Sequence, residues 1–278
     1  MANITAADVN NLRKQTGSGM MDCKKALVEA NGDFEAAIDI LRKKGQKVAA
    51  NRGDRDAKEG LVIAKSTNGG KKAVLVVVNC ETDFVAQNDD FNKFATTILD
   101  AAIANSPASL EELKNLKFGS DSLTIQEKII EQTGVIGEKI EVSAYETIEA
   151  ETTIAYNHPG NKLASIVGFN KSGDKIEEVG KQIAMQIAAM NPLAVDENGV
   201  DKAIIDHELA LGKEMALAEG KPEAMVDKIA EGKVKKFLKE NTLLNQESIT
   251  DNKKNIAQIL KETENDLSVT GFKRIMLG

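Results

Sequence analysis

Acid, hydroxyl and thiol side chains crowd one short stretch, 79-NCETDFV-85, and it is the first place to look for chemistry. A thiol at Cys80 acts as a nucleophile only when a base or a positive field favours the thiolate. The chain has two histidines, His158 and His207, and neither is near Cys80 in sequence. A distant histidine could still approach in the fold, so a thiol enzyme using Cys80 stays open at this level. No Walker A loop, GxGxxG, HExxH, GxSxG or Cys-x-x-Cys pair occurs. The run 134-GVIGEK-139 has glycines and a lysine but lacks the spacing and terminal Ser/Thr of a phosphate loop. These absences point away from an enzyme, and no cofactor or metal is expected. What stands out instead is Phe84, because the chain has only eight Phe, two Tyr and no Trp. Were the following helix to begin early, Phe84 would join a buried stripe two turns before Phe91. Asn88-Asp89-Asp90 reads as a fresh helix start, which detaches the ring and favours its exposure.

The elements around this loop follow from patterning. The run 73-AVLVVVN-79 reads as a buried strand, and 61-LVIAKS-66 with the turn 67-TNGGKK-72 makes it half of a hairpin. After the loop, Phe91, Phe94, Ala95, Ile98, Leu99 and Ala102 share one face of a helix over 88–104. A short helix follows Pro107, then a helix over 124–134 and a strand near 138–148. The order hairpin, loop, helix then recurs at 150–157, 162–170 and 175–190, roughly 90 residues on, which suggests an internal duplication. The second loop, 171-KSGD-174, has no ring, so a role specific to the first copy is favoured for Phe84.

Upstream, three short helices are expected in 1–44. Thr5 with Asp8 resembles a capping box, Gly17 ends the first helix, and Asp33 caps a third that Gly45 closes. The polar stretch 45–59 is the best linker candidate. Downstream, 198–220 and 222–241 read as a helical hairpin turning at Gly220-Lys221-Pro222, each arm ~30 Å long at 1.5 Å per residue. A helix over 251–263 and a last strand over 268–277 follow.

Composition sets the outer limits. A hydrophobic content of 42% with 28% charge is that of a soluble globular chain. No apolar run approaches the ~20 residues of a membrane span, and the N-terminus lacks a signal pattern. Cys23 and Cys80 are too few for a disulfide framework, so a cytoplasmic protein with reduced thiols is expected; a single Cys23–Cys80 bridge is the alternative. The net charge is −7, with a small basic surplus near the N-terminus and an acidic remainder. That distribution disfavours direct nucleic-acid binding, which needs clustered positive charge. Met20-Met21 read equally as a helix start packed into the small bundle or as an adaptable contact surface. His158 sits in a Pro-Gly turn and reads by default as a turn residue, and the mixed charges of the helical hairpin as a solvated face.

Taken together, 16-TGSGMMDCKKAL-27, 29-EANGD-33, 79-NCETDFV-85, 219-EGKPEAM-225 and 269-VTGF-272 resemble the bacterial elongation factor Ts family over nearly the whole chain. The resemblance implies an α+β fold: a ubiquitin-associated-like three-helix module (1–44), a linker (45–59), and two related α+β subdomains with antiparallel strands (60–148 and 149–278). The second would carry a projecting antiparallel helical hairpin at about 198–241. It implies a guanine nucleotide exchange factor that binds elongation factor Tu, both GDP-bound and nucleotide-free, with no nucleic-acid or membrane partner and with homodimerisation left open. Thr82, Asp83, Phe84 and Val85 would contact the partner's GTPase domain and dislodge its Mg²⁺. Met20 and Met21 would dock on another helix of that domain, and His158 would touch a different partner domain. Two departures are visible. Glu81 stands where some relatives carry Gln, and the chain ends at 276-MLG-278, where longer relatives add a C-terminal helix that contacts the partner.

Overall fold

The computed structural model describes residues 3–67 and 69–278. Helix α1 (Ala6–Thr16) opens on a complete capping box: the Asp8 N–H donates to Thr5 Oγ1 at 3.2 Å and the Thr5 N–H to Asp8 Oδ2 at 2.9 Å. It stops at Gly17, whose left-handed backbone (φ 70°) brings its N–H to Arg13 O at 2.8 Å. Helices α2 (Met20–Glu29) and α3 (Phe34–Asn51) follow, α3 capped by Asp33. Val9, Leu12, Cys23, Ala26, Leu27 and Ala37 form the buried core of these three helices.

Strands β1 (Glu59–Ser66) and β2 (Lys72–Cys80) make the first hairpin, closed where the Thr67 N–H donates to Lys72 O at 2.7 Å. Asn68 of the expected turn lies outside the described residues. A single helical turn, α4 (Asp83–Ala86), leads into α5 (Asp89–Asn105), capped by the Asn88 side chain. The expected stripe of α5 from Phe91 to Ala102 is buried. Then come α6 (Leu110–Asn115), α7 (Ile125–Ile136) and β3 (Glu141–Glu149), and the sheet order is β1-β2-β3.

The second half repeats this order. Strands β4 (Thr152–Asn157) and β5 (Leu163–Phe169) pair antiparallel, from Thr152 opposite Phe169 to Asn157 opposite Ala164. Helix α8 (Asp174–Met190), the hairpin α9 (Lys202–Ala218) and α10 (Glu223–Asn241), α11 (Ile256–Thr263) and β6 (Val269–Met276) follow, giving a second sheet β4-β5-β6. In both antiparallel sheets the second hairpin strand is central, and a strand from beyond the helices adds beside it. Phe169, Ile176, Ile183, Ile187 and Leu243 are buried in the core beneath β5 and α8. The fold is α+β. The chain divides into two compact units, Met1–Ile63 with Val76–Tyr145 and Met276–Gly278, and Ala64–Leu75 with Glu146–Ile275. The division passes through β1, β2, β3 and β6.

The third helix does not stop at Gly45 as expected; α3 runs on to Asn51. Gly45 is buried against Gly134 of α7, and a Cβ built at Gly134 would overlap the Gly45 backbone. This glycine lets two helices approach closely rather than ending one. Within the hairpin, Gly212 lies against Ala230 in the same way, and Gly220 (φ 71°) makes the turn. No helix among the described residues is long and apolar enough to cross a membrane.

Candidate functional site

Strand β2 ends at Cys80, whose buried thiol donates to Thr82 O at 3.1 Å. The backbone then leaves the sheet through Thr82, which is extended (φ −125°, ψ 154°) and precedes α4. The Thr82 hydroxyl does not cap α4; it donates to Glu138 Oε1 at 2.7 Å. Glu138 Oε2 accepts the Glu81 N–H at 3.2 Å and the Thr82 N–H at 3.0 Å. The exchange is reciprocal, because Glu81 Oε1 accepts the Lys139 N–H at 2.6 Å. Arg52, just past the end of α3, donates through Nη1 to both Glu81 oxygens, at 2.7 and 2.9 Å. Lys139 Nζ in turn donates to Gly53 O and Arg55 O, at 3.1 and 3.0 Å. At the far end of α4, Ala86 is buried and Asn92 Nδ2 donates to Ala86 O at 3.2 Å.

A four-residue helix has too few internal bonds to persist alone. These anchors at both ends hold it. They leave Phe84 on the outside with 84% of its surface exposed, the most exposed large apolar side chain among the described residues. Asp83 beside it is exposed. Val85 is half-buried and lines a groove with Phe91, Phe94, Phe118, Val135 and Ile136, whose edge includes Gly17.

Burial, reinforced by the Glu138 charge, pushes the Cys80 thiol up to about 12. At neutral pH it is a hydrogen-bond donor to Thr82 and not a nucleophile. Neither cysteine is paired, and both are buried. The Glu81 carboxylate is held below its ordinary range, first by the Lys139 N–H; burial opposes this and the Arg52 guanidinium adds to it.

Met20 and Met21 begin α2 and are 54% and 61% exposed. The buried face of that helix is Cys23, Ala26 and Leu27, so the two methionines do not fill the bundle core. His158 is exposed in the β4–β5 turn; its N–H donates to Leu163 O at 2.9 Å and its Nδ1 lies 3.0 Å from Tyr156 Oη. The structure thus gathers Thr82, Asp83, Phe84 and Val85 into one turn. It sets Met20 and Met21 side by side in the same compact unit, and His158 in the other.

Sequence reasoning missed Arg52, Glu138 and Lys139, which have no local signal because their partners lie far along the chain. It also missed the exposed Leu211, Met215, Leu217 and Met225 of α9 and α10. The spacing of Leu211 and Met215 was the available sign, since one i, i+4 pair stands apart from the stripe containing Ala216.

The sequence pattern of the family described as "Elongation factor TS" matches residues 81–278, so the match begins at the Phe84 turn. Elongation factor Ts of Christiangramia forsetii is 53% identical over 278 residues, covering all of both chains. That of Amoebophilus asiaticus is 50% identical over 276 residues, 99% of each chain, and that of Flavobacterium psychrophilum 50% over 278 residues, all of both. The arrangement at Thr82–Val85 is therefore part of a likeness that extends from one end of the chain to the other, and the chain belongs to the elongation factor Ts family.

Proposed function

We propose that this chain is a guanine nucleotide exchange factor for elongation factor Tu. It binds the GDP-bound partner, promotes GDP release by disturbing the Mg²⁺ and phosphate site, and so allows GTP to load during translation elongation. The observation that carries this reading is the exposed Phe84 on a turn anchored at both ends. A large ring held out in water lacks an apolar environment of its own and gains one only in a partner.

Thr82, Asp83, Phe84 and Val85 form the contact with the partner's GTPase domain. Met20 and Met21 supply a second, adaptable contact on that domain, and His158 supplies a third on another domain. In these terms 1–44 acts as a docking module, 45–59 as its connection, and 60–148 and 149–278 as the two halves of the body. The step needs no nucleophile and no base. Bound GDP is held in part by Mg²⁺, the largest local cation, so displacing the ion loosens the nucleotide. The factor has only to prefer the nucleotide-free partner, and linkage then makes the weakening mutual. Burying one Phe contributes about 1.5–3 kcal/mol, which corresponds to roughly ten- to a hundred-fold in nucleotide affinity. The remaining contacts add to that. The protein acts in the cytoplasm.

The test uses labelled GDP bound to elongation factor Tu with excess unlabelled GTP. Substoichiometric amounts of this protein should accelerate release of the label, and no acceleration would sink the reading.

A further inference from the structure

The Phe84 turn has almost no stabilising structure of its own. The bonds that fix its entry come from two carboxylates that cross over. Glu138 takes both consecutive N–H groups of residues 81 and 82 and the Thr82 hydroxyl, while Glu81 takes the N–H next to Glu138 and the Arg52 guanidinium. Glu81 is mostly shielded from water in this arrangement. We propose that Glu138, with Glu81 and Arg52, is a positioning latch for nucleotide exchange, holding the backbone of residues 81–82 so that Phe84 is presented in one orientation. This rests on the exchange reading above.

The latch acts through Phe84 and touches neither nucleotide nor partner. It lowers the entropy lost when the turn docks, because the turn is ordered before the encounter. Its chemistry is acceptance of hydrogen bonds rather than charge. A glutamine at 138 can keep one oxygen on the two N–H groups and offer its amide to the Thr82 hydroxyl, which then accepts. An alanine leaves all three donors of residues 81 and 82 without that partner.

The experiment measures elongation factor Tu-bound GDP release at saturating factor, using full-length wild type, Glu138→Ala, Glu138→Gln, Phe84→Ala and the Glu138→Ala/Phe84→Ala pair. Amide hydrogen exchange at Thr82 is followed in each free protein. Glu138→Ala should expose the Thr82 amide and slow maximal exchange roughly tenfold, the scale of ordering one residue. Glu138→Gln should recover most of both. In the Phe84→Ala background, Glu138→Ala should have no further effect, since a double-mutant cycle reports dependence on a shared route. The latch is overturned if Glu138→Ala exchanges like wild type, if Glu138→Gln fails as badly as Glu138→Ala, or if the two losses multiply. Should Glu138→Ala not fold, Arg52→Met removes the guanidinium from Glu81 and is expected to give the same pattern at smaller size; an effect of Arg52→Met that persists without Phe84 overturns the proposal. Wild type that releases no GDP overturns the exchange reading itself, and an unprotected Thr82 amide in that same wild-type protein overturns the latch separately.

Discussion

Phe84 is a side chain with little to do in the free protein. Exposed to 84%, it should be removable at small cost to folding: Phe84→Ala is expected to change unfolding free energy by no more than about 0.5 kcal/mol in a urea titration. A larger loss would mean the ring supports the fold. Cys80 is the opposite case. It is buried, with its thiol pushed up to about 12, so iodoacetamide at mildly alkaline pH should label neither it nor buried Cys23 until the chain is unfolded, as read by mass spectrometry. Glu81 makes a pH prediction. Its carboxylate is held below the ordinary 4.5, so the folded state favours the ionised form. That contribution is present above the unfolded value and is lost as the pH falls through the lower, folded value. The stability gap between wild type and Glu81→Gln should therefore shrink as the pH falls from about 5 to about 3. A gap that stays constant would contradict the assignment.

At the scale of elements, local signals were legible and non-local ones were not. Thr5 with Asp8, Gly17, Asp33 and Asn88 mark their helix ends in the sequence because a cap is settled by residues three or four apart. Gly45 misleads for the complementary reason: its role is decided by Gly134, far along the chain. The contrast gives a paired test. Gly134→Ala forces α3 and α7 apart and should lower stability by about 1–3 kcal/mol. Gly232→Ala meets nothing in an exposed stretch of α10 and should raise stability by about 0.4–1 kcal/mol. Thermal unfolding of the two variants reads both signs. The Phe84 turn was legible as an exposed ring at a strand-to-helix junction. Its helical character was not, because four residues carry no periodicity, and neither was its latch, because Arg52, Glu81 and Glu138 meet only in the folded chain.

Over the whole molecule, one α+β pattern is used twice, and the ring-bearing turn appears in the first copy, between β2 and α5. The contacts proposed for the partner are divided between roles. Met20 and Met21 are exposed before binding and should contribute affinity, so replacing both with alanine should raise the half-saturating concentration of the factor roughly tenfold, from about 1.4 kcal/mol, with the maximal rate held. An unchanged half-saturating concentration would remove them from the interface. Phe84 should instead govern the maximal rate, because its proposed action is on the partner's nucleotide site. The central measurement is therefore stopped-flow release of a fluorescent GDP from elongation factor Tu at saturating wild type and at saturating Phe84→Ala. The prediction is rapid release with wild type and a maximal rate roughly ten- to a hundred-fold slower with the variant; equal maximal rates would contradict it.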